Sequence, residues 1–329
     1  MNKSEINSRR IMSAGSIDIV EYVTCKTVGG KIKFPVKRLN EVCDSVCPGY
    51  TIAILGIPGS GKSTFALNLA FLNSILDNKR TLYLYMEDMP ERYHCNILSR
   101  YSYHVGDKLE SKILKKGISP SNIEVIKKIQ SIQERFREKK KGEIFYIGMA
   151  QLSAEPDIFA KDLTKIVKEL KIDIIIIDYI QRVKSFKPAS YYSVMDFQNQ
   201  ITSVLSNVAL GQYGSPPCIN IMLSQLNREA QKKAIKTGGD MFMFDVAEIS
   251  SIERDSMLMI GVHSDQLLRD CGEIGIKILK NRDDAADSSS IPTKFEPMYC
   301  MVGDVDDDHN VLNNEELETE WNYYEGLLG

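Results

Sequence analysis

Gly56-Ile57-Pro58-Gly59-Ser60-Gly61-Lys62-Ser63 has the spacing G-x-x-x-x-G-K-[ST] of a phosphate-binding P-loop. The glycines let the backbone wrap a phosphate chain with its N–H groups turned inward. The N-terminus of the following helix adds partial positive charge. Lys62 would reach the β- and γ-phosphates, and the Ser63 hydroxyl would hold Mg²⁺. A second acid belongs beside such a loop. Ile174-Ile175-Ile176-Ile177-Asp178 is a β-branched run ending in a carboxylate, the Walker B pattern, so Asp178 is the candidate for Mg²⁺. Asp173 is the weaker competitor because it precedes the apolar run. Hydrolysis also needs a group that positions or deprotonates water. Glu87 ends the apolar stretch Thr81–Met86 and is the candidate base; Asp88, or a solvated turn, is the alternative. Gln225 closes another apolar stretch, as a γ-phosphate sensor or as an ordinary polar strand end.

These side chains need a scaffold that delivers several strand ends to one edge. The chain alternates strand and helix patterns from Cys47-Pro48-Gly49 onward, as a mostly parallel sheet flanked by crossover helices would. The strands read as Thr51–Leu55, Thr81–Met86, Ile144–Ile147, Ile174–Ile177, Cys218–Leu223, Met257–Gly261 and Gly275–Leu279, with Tyr299–Met301 in a last edge pair. Leu163, Ile166, Val167 and Leu170 recur at helical spacing opposite Lys161, Asp162, Lys165 and Lys168. Another helix is expected from Ser121, with Glu124 completing a capping box, to about Lys140. Its basic end, Arg137 to Lys141, reads as a solvated terminus that complements the helix dipole, with DNA contact as the other reading. Residues 183–193 and 229–247 read as loops, the second carrying Lys232, Lys233 and Lys236. Residues 1–45 are weakly patterned and are expected to form an arm, residues 46–302 the nucleotide-binding domain, and residues 303–329 a tail.

Composition narrows the class. The 329 residues are 43% hydrophobic and 26% charged, ordinary for a soluble domain. No apolar run is long enough to cross a membrane and the N-terminus lacks a signal-peptide core, so a cytoplasmic protein is expected. Seven cysteines without a C-x-x-C pair, and four histidines, argue for reduced thiols rather than a zinc site. Residues 303–329 hold nine acids and neither Lys nor Arg, which leaves 41 bases against 35 acids, a net of +6, in residues 1–302. A mildly basic body permits nucleic-acid contact without requiring it. Trp321, Tyr323, Tyr324, Leu327 and Leu328 give the acidic tail apolar anchors for a protein partner; plain disorder is the equal alternative.

Taken in order, the motifs resemble the RecA-like motor domain of DnaB-type replicative helicases. The resemblance rests on Pro48-Gly49 with the P-loop and Lys62 to Leu69, on Met86-Glu87-Asp88-Met89-Pro90, on Ile177-Asp178-Tyr179-Ile180-Gln181, on Leu223-Ser224-Gln225-Leu226-Asn227-Arg228, and on Ser251 to Asp255 followed by Lys280-Asn281-Arg282. It covers roughly residues 35–302. It implies a RecA-like P-loop NTPase fold and binding of ATP and Mg²⁺ through Gly56, Pro58, Gly59, Ser60, Gly61, Lys62, Ser63, Thr64 and Asp178. It implies Glu87 as the catalytic glutamate and Gln225 as the sensor. Arg282 becomes a finger reaching a neighbouring subunit's ATP, with Lys280 as its partner. Residues 228–252 would be loops lining the pore of a ring, expected to be a hexamer, that grip single-stranded DNA through Arg228, Lys232, Lys233, Lys236, Glu248 and Ser250.

The resemblance has departures. Only some 40 residues precede the motor region, where the family carries a helical domain that binds primase and shapes the ring. Ser250 and Ala247 stand where the family has a glycine and an arginine in the DNA-gripping loop, which alters the grip. Lys232, Lys233 and Lys236 either compensate or form a solvated face. Two functions follow as expectations: an ATP-driven helicase or translocase on single-stranded DNA, or a non-motor ATPase of the same superfamily acting as a nucleotide-gated switch, loader or assembly factor. A metabolic kinase is a distant third.

Overall fold

The computed structural model describes residues 31–86, 89–237, 241–245, 249–284 and 289–305. Among these residues, six parallel strands form the centre: β1 (Thr51–Gly56), β2 (Arg80–Tyr85), β3 (Glu143–Gly148), β4 (Ile174–Asp178), β5 (Ile219–Gln225) and β6 (Leu258–His263). Strands β7 (Glu273–Asn281), β8 (Ile291–Glu296) and β9 (Met301–Gly303) continue the sheet antiparallel, giving the order β3-β2-β4-β5-β1-β6-β7-β8-β9. The helices are α1 (Lys37–Val42), α2 (Lys62–Ala70), α3 (Pro90–His104), α4 (Ser111–Lys116), α5 (Ile123–Lys139), α6 (Pro156–Leu170), α7 (Val194–Ala209), α8 (Arg228–Thr237), α9 (Ser250–Asp255) and α10 (Gln266–Asp270).

The two-residue period of the strands splits the interior into two layers. Ile52, Ile54, Ile174 and Ile176 face one side, where they pack with Phe65 and Leu69 of α2, Ile97 of α3 and Phe136 of α5. Ala53, Leu55, Ile175 and Ile177 face the other, against Phe159 and Leu163 of α6 and Phe197 and Ile201 of α7. Burial on both faces explains why β1 and β4 read as unbroken apolar runs. Ile32, Phe34, Val36, Leu39 and Cys43, which lie in the stretch read as an arm, are buried in the first layer.

The seven strands expected between Thr51 and Leu279 and the helix over 161–170 form, the helix starting earlier at Pro156, which suits its first turn. Three details differ. The helix after Ser121 starts at Ile123, and Asn122 caps it by accepting the Val125 N–H at 3.4 Å. Ser121 cannot complete a capping box because its hydroxyl pairs with that of Ser119 at 2.7 Å. The last edge is a strand at Ile291–Glu296 and a short one at Met301–Gly303, separated by a turn over Pro297–Tyr299. Most consequentially, residues 228–237 are helix rather than loop. Asn227 caps this helix by accepting the Ala230 N–H at 2.8 Å, and Ala230 and Ala234, one turn apart, are buried against the second layer. A cap and two small apolar residues suffice there, despite the many lysines.

Candidate nucleotide site

β1 runs into the P-loop at Gly56, in the centre of the sheet, and α2 begins at Lys62. Gly59 (φ +76°) and Gly61 (φ +96°) hold the left-handed backbone that turns the loop, and α2's first N–H groups lack intrahelical partners. Gly56 is required for another reason: a Cβ there would lie 2.2 Å from the Val262 carbonyl oxygen and 2.6 Å from Ser60 Oγ. The Ser60 hydroxyl itself is buried without a hydrogen-bond partner. Lys62 Nζ folds over the loop and donates to the carbonyls of Gly56 (2.9 Å) and Ile57 (2.6 Å). Burial lowers its pKa to about 8, against the opposing pull of the Asp178 carboxylate.

Asp178 shares a strand face with Ile174 and Ile176, so it points to the layer that contains α2. One carboxylate oxygen, Oδ1, accepts from Ser63 Oγ at 3.2 Å; the other, Oδ2, accepts from the Tyr83 hydroxyl at 2.9 Å. Tyr83 is fully buried on the adjacent β2, and burial together with Asp178 pushes its phenol well above the ordinary tyrosine range. Asp173, the alternative, is not brought to this loop. It sits just before β4, at the opposite sheet edge, where it accepts the Arg80 N–H at 2.7 Å.

Gln225 pairs directly with Gly56 across the β1–β5 ladder, one strand from the loop. Its main chain is clamped by Gln181, whose Oε1 accepts the Gln225 N–H (3.1 Å) while Nε2 donates to Ser224 Oγ (2.7 Å) and to the Gln225 carbonyl (3.3 Å). Neither Gln181 nor Tyr83 stood out as a site residue in the sequence. Tyr83 was legible in principle, since its strand parity directs it to the same layer as Asp178; the clamp by Gln181 depends on the short 3-10 helix over Ile180–Phe186, which no spacing reveals. Thr64 follows Ser63 in the first turn of α2, and Pro58 lies in the loop. Glu87, its alternative Asp88, Glu248, and the tail's Trp321, Tyr323, Tyr324, Leu327 and Leu328 lie outside the described residues.

Lys280 and Arg282 are not brought to this loop within the chain. Lys280 pairs with Met259 near the start of β6, and the Arg282 N–H bonds to the Met257 carbonyl at 3.0 Å. Met257 in turn bonds to Thr51 at the start of β1, so both basic residues lie at the sheet edge opposite the P-loop. Arg282 donates to the Arg254 carbonyl, and Lys280 donates to that of Glu253. Burial and the neighbouring Arg282 lower the Lys280 pKa. Arg228, Lys232, Lys233 and Lys236 all lie on α8 and are exposed, and Lys233 Nζ sits 4.1 Å from the Phe242 ring centre. Ser250 opens α9; of the channel segment expected over 228–252, residues 228–237 and 250–252 are helical, Met243–Asp245 form a single 3-10 turn, and residues 238–240 and 246–248 lie outside the described residues.

The donor set suits a nucleotide triphosphate with Mg²⁺. A hydroxyl and a carboxylate converge as hard oxygen ligands at the head of a helix, and a buried ammonium stands beside them. A sheet with its P-loop after the central strand and an acid at the end of β4 defines a P-loop nucleotide-binding domain of the RecA-like kind. The model of the DnaB-like helicase C terminal domain family matches residues 32–301, and the chain belongs to that family. It is 23% identical over 261 residues to a probable plasmid replicative DNA helicase of Chlamydia trachomatis, a match over 79% of this chain and 52% of that protein. The chain thus spans about half the length of the curated relatives it matches. Two solved structures share its fold. One, of a DnaB-like replicative helicase and its interactions with primase, superposes with a TM-score of 0.65 at 20% identity, covering 92% of this chain and 70% of that one. The other, an ATPase domain, gives 0.63 at 18% identity, covering 88% of this chain and 97% of that one.

Proposed function

We propose that the protein is an ATP-dependent helicase or translocase that moves single-stranded DNA through a ring, expected to be a hexamer, in a soluble cytoplasmic setting. Family membership supports this reading, and one observation carries it: the P-loop and Arg282 stand at opposite edges of one sheet. A protein whose ATP site is finished by its neighbour needs such a placement. Gly56 to Thr64 would wrap the phosphates, with Lys62 charged against the β- and γ-oxygens. Ser63 and Asp178 would hold Mg²⁺, which neutralises charge building on the transferring phosphoryl group. Glu87 would orient the attacking water. Arg282, steadied by Lys280, would approach the γ-phosphate of the adjoining protomer and make hydrolysis depend on assembly.

Gln225, next to Gly56 and clamped by Gln181, would sense the γ-phosphate and pass its loss through Asn227 to α8. The exposed lysines of α8, with Arg228, Glu248 and Ser250, would face the DNA. The acidic tail would dock a protein partner. A nucleotide-gated switch without movement is the competing function, favoured by Ser250 in place of a glycine. Hydrolysis measured with and without single-stranded DNA separates the two. A translocase is expected to speed up several-fold on DNA, to lose affinity steeply with salt and to lose unwinding in Lys62→Ala. Hydrolysis indifferent to DNA but raised by a protein partner would reject the motor reading.

A further inference from the structure

We infer that Tyr83 is a positioning residue for the metal site, fixing the Asp178 carboxylate so that Oδ1 is presented beside Ser63. The inference rests on the function proposed above. A carboxylate at a strand end can rotate about its terminal torsion, which is broad and two-fold. Here the two oxygens are given different tasks. The phenol holds Oδ2 at 2.9 Å from inside the sheet, and Oδ1 is left at 3.2 Å from the Ser63 hydroxyl.

Tyr83 can do this because of register and packing. It pairs with Ile176 on β4, two residues short of Asp178 and on the same face, so its long ring runs along the strand to the carboxylate. The ring is held by aromatic neighbours. Tyr93 lies 5.0 Å away and Tyr146 6.3 Å between ring centres, and Tyr93 also contacts Tyr85 at 5.8 Å. A phenol 3% exposed cannot exchange this partner for water without a cost. Partners that orient a metal's ligands matter nearly as much as the ligands, and losing one typically costs about 10–100-fold in metal affinity or activity.

Tyr83→Phe removes only the hydroxyl. Tyr146→Phe makes the same change in the same cluster, on a buried hydroxyl that has no hydrogen-bond partner. The full-length protein is titrated with Mg²⁺ at saturating ATP while hydrolysis is followed. Binding of a fluorescent ATP analogue in EDTA and thermal melting are recorded alongside. For Tyr83→Phe the half-saturating Mg²⁺ is expected to rise about 10–100-fold, with melting lowered by only a few degrees for the lost buried hydrogen bond, metal-free nucleotide binding close to wild type and Tyr146→Phe unaffected. If Tyr83→Phe titrates like wild type, or if it loses metal-free nucleotide binding and melting temperature together, the positioning role is overturned while ATP hydrolysis by the wild-type chain stands. A wild-type chain that neither binds nor hydrolyses ATP overturns the function proposed above as well. If Tyr83→Phe fails to fold, wild-type protein carrying ¹³Cζ-tyrosine answers the question. One tyrosine signal is expected to move when Mg²⁺ and nucleotide are added together, and not in Asp178→Asn. No such movement in wild type also overturns the assignment.

Discussion

The separation of Arg282 from the P-loop can be tested without seeing an assembly. Met257 lies beside the start of β1 and Gly56 at its end, so about 17 Å of strand divides the backbone that anchors Arg282 from the loop in its own chain. That is further than an arginine side chain extends. If hydrolysis needs this guanidinium, it must come from a second copy. Lys62→Ala and Arg282→Ala should each be nearly inactive, the latter by about 10³–10⁵ in kcat if it acts as such fingers do. Mixed in equal amounts, they should complement. A working interface then pairs an intact Lys62, from the Arg282→Ala chain, with an intact Arg282, from the Lys62→Ala chain. In a head-to-tail assembly with random order this arises at about a quarter of interfaces. The mixture is therefore expected to recover about 25% of wild-type hydrolysis per interface. The assay is phosphate release by the separate and the mixed variants, with native mass spectrometry to show that mixed oligomers form. Mixed oligomers no more active than the two parents would refute the shared site, as would full-speed hydrolysis by Arg282→Ala alone.

Two further outcomes follow from the same site. Lys62→Met should melt higher than wild type at pH 7 without nucleotide. A lysine whose pKa falls from 10.5 to about 8 costs on the order of 3 kcal/mol while charged, and losing its two bonds to loop carbonyls returns about 1 kcal/mol each, leaving a net gain of about 1 kcal/mol. The unfolded chain binds the extra proton between pH 8 and 10.5, so wild-type stability rises with pH across that window and the gap between the variants closes and then reverses there; a gap that stays constant would rule out the lysine's charge as its source. Gln181→Ala removes three hydrogen bonds around Ser224 and Gln225, and is expected to cost about 1–3 kcal/mol in denaturant unfolding and to weaken DNA-stimulated hydrolysis more than the DNA-free rate. Equal losses in both rates would argue against a coupling role.

The P-loop and the acid at the end of β4 were legible because each is a local pattern whose chemistry dictates its residues: glycines where a Cβ cannot fit, a lysine and hydroxyl next to them, a carboxylate closing a strand buried on both faces. The parallel sheet was legible because strands buried on both faces, such as β1 and β4, read as near-continuous apolar runs. Helix α8 was not legible. Its lysines and the following Gly238-Gly239 read as a loop, and the Asn227 cap with burial of Ala230 and Ala234 in the layer that also holds Leu226, Met241 and Ile249 makes it a helix. The helix cap at Asn122 was missed because two adjacent residues could both serve, and the neighbouring Ser119 settles which one does.

Sequence alone therefore determined where the P-loop lies, because a phosphate chain imposes its demands over eight consecutive positions. Tertiary structure alone decided how those residues are supported and completed. Tyr83 and Asp178 are 95 residues apart, and Gln181 and Ser224 are 43 apart. Arg282 is near the P-loop in no one-dimensional sense, and its place at the far edge of the sheet follows only from the reversal of β7 against β6. Strand order and direction arise from packing across the whole chain, and no short stretch of sequence contains them.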